Sequence, residues 1–552
     1  MRPGPVRQAF LLTLALPGFL LLPVLGSSSA AGPSTSRVGL PTERPDTLNP
    51  VPLAPTKTSS APSPSSSLRS DLLREMEEIL VATGNQQGTW AAMVVSLDRG
   101  DTLLAMNATE AMVPASNQKI LTTAAAISTL GPDFRFHTFL LASGELAGDT
   151  LFGDLILYGT GDPTLSERFF GEETAAMDTL ARRVADAGVR EIRGDLVVDG
   201  SFFNGPTRHP EWDPADLNDA FAAPISAVSF NENIVTLRVE AGAASGILPL
   251  VHVLPEGSEI PVSNIAETAP RGTRSRIWLF RETPWDPIGI EGEIPVGGRD
   301  VWRELPVPDP LLFSGRHLQN ALEAQGIRVR GQVSTISDPS LSALPPEVEP
   351  GRSGPSGPKI IAVITSPPLL EVLRVVNKES NNLMAETVAK VLGRVTLGDG
   401  SFQGGMEAVE RFLIREVGVS SEEIRLRDGS GLSAENRVSA AVLVRVLRYL
   451  ADSPHWDAFW DTLPEAGVRR ELGRMGGTPA TRNLRAKTGT MDRVSALSGM
   501  VRTRDGERIL FSILANGVRS EYRAKRAEDQ LGIRLASLTR PGLGGSGDPP
   551  SP

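Results

Sequence analysis

The sequence predicts an α+β protein in which one helix-and-sheet domain is interrupted by a large, mostly β insertion of one or two domains. Three observations predict it. A helical stripe followed by two strands occupies residues 72 to 106, and two further strands return only at 494 to 515. Between them, residues 134 to 350 are dominated by strand patterns with one helix. After 360 the period switches back to helical, so the ends of the chain read as parts of one domain.

Composition bounds the function classes. The chain has 552 residues, 40% hydrophobic content and a net charge of −10, enough for several cores and without electrostatic support for nucleic-acid binding. There is no cysteine, which excludes disulfides, thiolate metal sites and a cysteine nucleophile. The histidines at 137, 209, 252, 317 and 455 are scattered without ligand spacing, and no G-x-S-x-G elbow is present. No metal and no cofactor is expected. Only 7 of the 55 basic residues are lysine. Where arginine serves as the general cation, a retained lysine is a candidate for losing its proton, which arginine cannot do. That raises the weight on Lys119 and Lys487.

Taken in order, residues 1–31 read as a secretory signal: Arg2 and Arg7, the proline-broken apolar run Phe10 to Leu25, then Ser29-Ala30-Ala31. The run is short for a membrane span. Residues 32–69 are expected to be a linker, since 32 to 67 hold 8 Pro, 8 Ser and 5 Thr. Order is expected from Ser70, with Leu72, Leu73, Met76, Ile79 and Leu80 on one helix face, then strands Trp90 to Leu97 and Thr102 to Met106 around the turn Asp98-Arg99-Gly100-Asp101. The first domain part runs over 70–133 and holds Ser116-Asn117-Gln118-Lys119 at the start of a helix that Gly131 stops. In 134–354, strands are predicted at 134–142, 151–158, 195–199 and 233–239 and a helix at 173–187; Gly159 to Pro163 reads as a structural turn. The second domain part, 355–540, begins after a Pro/Gly/Ser-rich exit linker at 339 to 359. It carries helices near 369–376, 383–392, 405–416, 438–451 and 520–538 and strands near 484–490, 494–501 and 508–515. Residues 541–552 are expected to be a disordered tail.

Residues i and i+3 share a helix face, so Ser116 and Lys119 are neighbours, and a serine with a base in hydrogen-bond reach is a nucleophile. The pattern is short. A second copy, Ser356-Gly357-Pro358-Lys359, sits where Pro358 obstructs a helix and reads as a decoy. Two further motifs follow in order: Ser380-Asn381-Asn382 before a helix, and Lys487-Thr488-Gly489 on a predicted strand. Ser-x-x-Lys, Ser-x-Asn and Lys-Thr-Gly in this order resemble the three motifs of penicillin-binding proteins and serine β-lactamases. The flanks narrow the resemblance: Asn107-Ala108, Met112 to Asn117, Gly161 to Leu165, Ser229 to Asn233, Asp428 to Ser433 and Ala486 to Thr490, with 261 residues separating Lys119 from Ser380. Together they resemble the D-alanyl-D-alanine carboxypeptidase/endopeptidases of the peptidase S13 family, the penicillin-binding protein 4 type, over about 70 to 540.

The resemblance implies a β-lactamase/transpeptidase-like domain, an antiparallel sheet flanked by helices, with one domain inserted and a second nested within it. It implies Ser116 as nucleophile, Lys119 as its base and Ser380 as proton relay. Asn382, Lys487, Thr488, Gly489 and Thr490 hold substrate, with the N–H groups of Ser116 and Thr490 as oxyanion hole and Gly489 leaving room for substrate. It also implies peptidoglycan stem peptides as substrates, β-lactams as covalent inhibitors, and an exported protein of the periplasm or cell envelope, compatible with loose membrane association. Asp428 is expected to hold a turn. Lys378 and Glu379 crowd the second motif, as exposed charges or as tuning groups. A β-lactamase or esterase of the same superfamily, and a non-catalytic wall-binding protein, stay open as alternatives. No tyrosine starts a Tyr-x-Asn motif and no Glu-x-x-Leu-Asn segment is present.

Overall fold

The computed structural model describes residues 64–342, 344 and 358–540. The expected signal segment, most of the linker, the C-terminal tail and the Ser356-Gly357 half of the decoy lie outside them.

The frame is a five-stranded antiparallel sheet. In spatial order it runs Arg485–Met491, Val494–Arg502, Arg508–Asn516, Thr89–Ser96 and Thr102–Met106. The two strands from the N-terminal part thus join three from the C-terminal part. Alternation sorts the side chains onto two buried faces. Ala91, Val95, Ala496, Met500, Leu510 and Leu514 face one core. Trp90, Val94, Leu497, Val501, Phe511 and Ile513 face the other. Helices Gln118–Leu130, Leu369–Lys378, Asn382–Leu397, Phe402–Phe412 and Ala440–Ala451 cover the first face, and Pro64–Ala82 and Glu521–Ala536 cover the second. Helix Pro64–Ala82 begins within the stretch expected to be linker, because Leu68 joins the apolar stripe of Leu72 and Met76. Among the described residues, no helix is long and apolar enough to cross a membrane.

A second, seven-stranded sheet is built on the hairpin His137–Ala147 and Thr150–Gly159. Helices Ala175–Asp186 and Pro310–Ala324 lead to strands that run parallel, Glu191–Ile192 and Leu196–Asp199, then Arg328–Val329 and Val333–Ile336. Between them, Ile234–Glu240, Leu250–Leu254 and Val301–Pro306 form a three-stranded sheet, and strands within 262–295 a four-stranded one. The expected boundary at 354/355 lies just before a strand of this sheet. Lys359–Thr365 pairs antiparallel with His137–Ala147, so the chain leaves this sheet only at Ser366. Its run Ile360-Ile361-Ala362-Val363-Ile364 is the β-branched pattern of a paired strand.

The strand carrying Lys487 is an edge strand that depends on one close contact. At Gly499, a Cβ would lie 2.1 Å from the Arg485 carbonyl oxygen and 2.6 Å from the Ala486 Cα. Gly499→Ala is expected to lower stability by about 1–3 kcal/mol, read as a lowered urea midpoint with an unchanged slope.

Candidate active site

The 3₁₀ turn Ala115–Asn117 runs directly into helix Gln118–Leu130. Ala115 is fully buried at φ 46°, a left-handed conformation that costs a non-glycine residue about 1–2 kcal/mol. The turn is held in place by Gly431, whose Cβ would fall 2.0 Å from the Ala115 carbonyl oxygen. Ser116 and Lys119 share one face, with Lys119 Nζ 2.9 Å from Ser116 Oγ.

Lys119 is fully buried and has two further acceptors, Asn382 Oδ1 at 2.6 Å and the Ser430 carbonyl at 2.7 Å. Each is held from behind. Asn382 Nδ2 donates to the Phe221 carbonyl at 2.9 Å, which fixes the amide with its oxygen toward the lysine. The Glu386 carboxylate accepts from the N–H groups of Gly429 at 2.9 Å and Ser430 at 2.7 Å. Thr122 Oγ1 donates to the Gly429 carbonyl at 2.7 Å. Asp428 organises the same turn, accepting from the N–H groups of Gly431 and Ser433, from Asn436 Nδ2 and from Trp212 Nε1. Burial pushes the Lys119 amine down to about 7, against the opposing charges of Asp428 and Glu386. Burial, with Asp428 adding to it, pushes the Glu386 carboxyl above its ordinary value.

The second pair comes from the other two motifs. Lys487 Nζ donates to Ser380 Oγ at 2.9 Å and to the Thr488 carbonyl at 3.0 Å. Burial, and then the Lys119 charge, hold the Lys487 amine well below its ordinary range. Asn117 Nδ2 donates to the Lys487 carbonyl at 3.2 Å, tying the strand to the turn that carries Ser116. Ser116, Lys119, Ser380, Asn382 and Lys487 are therefore one connected cluster. Thr488 is half-buried on the same edge strand, and Thr490 is exposed on a cleft of about 950 Å³ that Ser116, Ser380 and Asn382 also line. Gly489 has a close contact of its own behind the strand. A Cβ there would lie 2.9 Å from the Pro114 carbonyl and 3.0 Å from Asn117 Nδ2, so the glycine lets the strand press against the turn that carries Ser116.

Sequence reasoning missed Glu386, Trp212 and Phe221. Glu386 stands four residues after Asn382, on the same helix face; the loops carrying Trp212 and Phe221 have no such pattern. The cleft also has acidic residues in its lining, Glu211, Asp213, Asp216, Glu435 and Asp492. Lys378 and Glu379 point away from the lysines, pairing with Glu471 at 3.0 Å and Arg168 at 2.7 Å. No group of three or more His, Cys, Asp or Glu suited to a metal occurs among the described residues.

Gly431→Ala is expected to displace Ala115 and, with it, Ser116. A misplacement of about 1 Å lowers rate by about 10²-fold, checked as the rate of covalent modification of Ser116 by a fluorescent penicillin.

The chain matches the model of the D-Ala-D-Ala carboxypeptidase 3 (S13) family over residues 72–538. It is 32% identical over 479 residues to the D-alanyl-D-alanine carboxypeptidase of Actinomadura sp. (strain R39), covering 84% of each chain. It is 30% identical over 441 residues to carboxypeptidase DacB of Mycolicibacterium smegmatis, covering 78% of this chain and 76% of that one. The crystal structure of penicillin binding protein 4 (dacB) from Haemophilus influenzae shares the fold, with a TM-score of 0.70 at 24% identity over 84% of this chain and 99% of that chain. The chain thus belongs to the D-Ala-D-Ala carboxypeptidase 3 (S13) family.

Proposed function

We propose that this protein cleaves the D-Ala-D-Ala bond of peptidoglycan stem peptides through an acyl-enzyme on Ser116. It is a serine-type hydrolase. The observation that carries the mechanism is the set of acceptors around Lys119. The Asn382 amide oxygen and the Ser430 carbonyl can only accept. A neutral lysine amine has two N–H bonds, and these two acceptors take both. Its lone pair is then left for the third neighbour, the Ser116 hydroxyl.

Ser116 Oγ attacks the carbonyl of the penultimate D-Ala and its proton passes to Lys119. The oxyanion is stabilised by the N–H groups of Ser116 and Thr490, an interaction type worth about 10²–10³ in rate. Ser380, hydrogen-bonded to Lys487, hands a proton to the leaving amine, and D-Ala departs. Asn382 holds the substrate amide, and Lys487 and Thr488 meet the terminal carboxylate. Water then attacks the ester and frees Ser116. The same steps on a cross-linked peptide give endopeptidase action. The acidic residues lining the cleft favour a substrate that carries a free amino group. A β-lactam reacts as a substrate whose acyl-enzyme is slow to hydrolyse. The apolar N-terminal segment and this substrate together support export to the periplasm or cell envelope.

A labelled penicillin is expected to mark the wild-type protein covalently at Ser116, with release of D-Ala from a D-Ala-D-Ala peptide. Ser116→Ala is expected to abolish both, and turnover of a chromogenic cephalosporin without any action on the peptide would overturn the assignment. Lys119→Arg, which cannot give up its charge, is expected to lose about 10²–10⁴-fold in acylation rate. The base is active when neutral and its amine lies at about 7, so acylation rises with pH through that value. Below it the rate is expected to fall roughly tenfold per unit, measured as a pH profile of penicillin labelling.

A further inference from the structure

The segment Ser229-Phe230-Asn231-Glu232-Asn233 takes no part in the chemistry above, yet it is built with unusual care. Asn231, Glu232 and Asn233 are consecutive residues at φ 47°, 53° and 55°, a left-handed conformation that asparagine adopts singly but that three non-glycine residues in a row hold only when the surroundings impose it. The surroundings here are the turn's own side chains. The fully buried Asn233 donates to the Pro224 carbonyl at 2.7 Å and to Ser229 Oγ at 3.1 Å, and its Oδ1 accepts from the Phe230 N–H at 3.2 Å. The Asn231 N–H donates to the Leu165 carbonyl at 2.8 Å. What this turn presents is the Glu232 carboxylate. One oxygen accepts from Asn381 Nδ2 at 2.7 Å and the other from Arg168 Nε at 2.8 Å. Arg168 in turn donates to both oxygens of Glu379, at 2.7 and 2.8 Å.

Glu379 and Asn381 flank Ser380, which is itself at φ 61°. Asn381 has no freedom to reorient, because its Oδ1 caps helix Asn382–Leu397 by accepting from the Met384 N–H at 2.9 Å. On the far side, Lys378 is tied to Glu471 at 3.0 Å. A strained serine that must hold its hydroxyl on Lys487 is thus bracketed by three tethers, two of which end on Glu232 and Arg168.

We propose that Glu232, backed by Arg168, is a positioning residue for the hydrolase reaction: the strained turn at 231–233 latches Asn381 and Glu379 so that Ser380 keeps its left-handed conformation and its contact with Lys487. The proposal rests on the proton-relay role given to Ser380 above. The two arms are unequal. The Arg168–Glu379 pair is partly exposed, with Glu379 half in solvent, and such pairs are weak. Glu232 is only 16% exposed, so its bond to Asn381 is the principal arm.

Glu232→Gln tests this with little change in volume. Glutamine offers one acceptor oxygen where both Asn381 Nδ2 and Arg168 Nε need one, and Asn381 cannot flip without losing its cap. The measurement is the acylation of Ser116 by a labelled penicillin over a range of concentrations, in four proteins: wild type, Glu232→Gln, Ser380→Ala and the double variant. Glu232→Gln is expected to lower the limiting acylation rate about tenfold or more, with the half-saturating concentration unchanged within twofold. The double variant is expected to be no slower than Ser380→Ala alone, since residues acting through one group are not additive. A limiting rate within twofold of wild type, or the same fold-loss in the Ser380→Ala background, would overturn the latch. If Glu232→Gln does not fold, Arg168→Ala enters the same cycle, with a loss of about threefold expected and the same non-additivity required. A wild-type protein that takes no penicillin would overturn the reading of the whole site; a labelled wild type with an unaffected Glu232→Gln overturns the latch alone.

Discussion

The buried amine of Lys119 is the constraint around which the rest of the molecule is arranged. Taking an ammonium out of water is costly, and here that cost brings the amine toward neutrality, as the proposed serine chemistry requires. Such a group is stable only if its remaining valences are satisfied. The structure does this with two oxygens that cannot donate, each fixed by a second residue: Asn382 by the Phe221 carbonyl, and Ser430 by Glu386. The acids that support the turn also limit the shift. Glu386 and Asp428 pull the lysine back toward its charged form. The outcome is an amine poised near neutral pH, as the proposed base role requires.

This arrangement explains why the site needs segments so far apart in the chain. The Ser116 turn comes from the N-terminal part; the second serine, the acid turn and the edge strand come from the C-terminal part. The sheet brings them together, since the strands at 89–106 and 485–516 are neighbours in it. The inserted segment is a working part of the same construction. It supplies the carbonyl that orients Asn382, the indole that donates to Asp428 and the carboxylate that grips Asn381.

Much of this was legible in the sequence because the signals were local. The three strands Thr89–Ser96, Val494–Arg502 and Arg508–Asn516 carry apolar residues on both faces and therefore read as continuous runs. Gly131 ends the helix Gln118–Leu130 at φ 84°, and the i, i+3 spacing of Ser116 and Lys119 translates directly into a 2.9 Å contact. What escaped was non-local or disguised. A glutamate inside a helix, like Glu386, reads as a solvated face unless its partners at 429 and 430 are known. Lys359–Thr365 hid behind a proline- and glycine-rich stretch. Helix Pro310–Ala324 had a readable start in Asp309-Pro310, but Ser314 and Gly315 obscure its periodicity. Gly315 is there because a Cβ would strike Val333 and Val198. Lysine scarcity was a useful guide and an incomplete one. It pointed to Lys119 and Lys487, yet Lys390 is also buried, stacked 4.4 Å from the Phe402 ring.

That scarcity makes the central claim directly measurable. With 7 lysines in the chain, selective labelling at lysine Cε and Nζ gives a sparse spectrum in which single amines can be titrated, and Lys119→Ala identifies the resonance of interest. A Lys119 amine that titrates near 7 is the predicted result. A Lys119 resonance that titrates near the ordinary lysine value of about 10.4 would contradict the account of the base, whatever the activity of the protein.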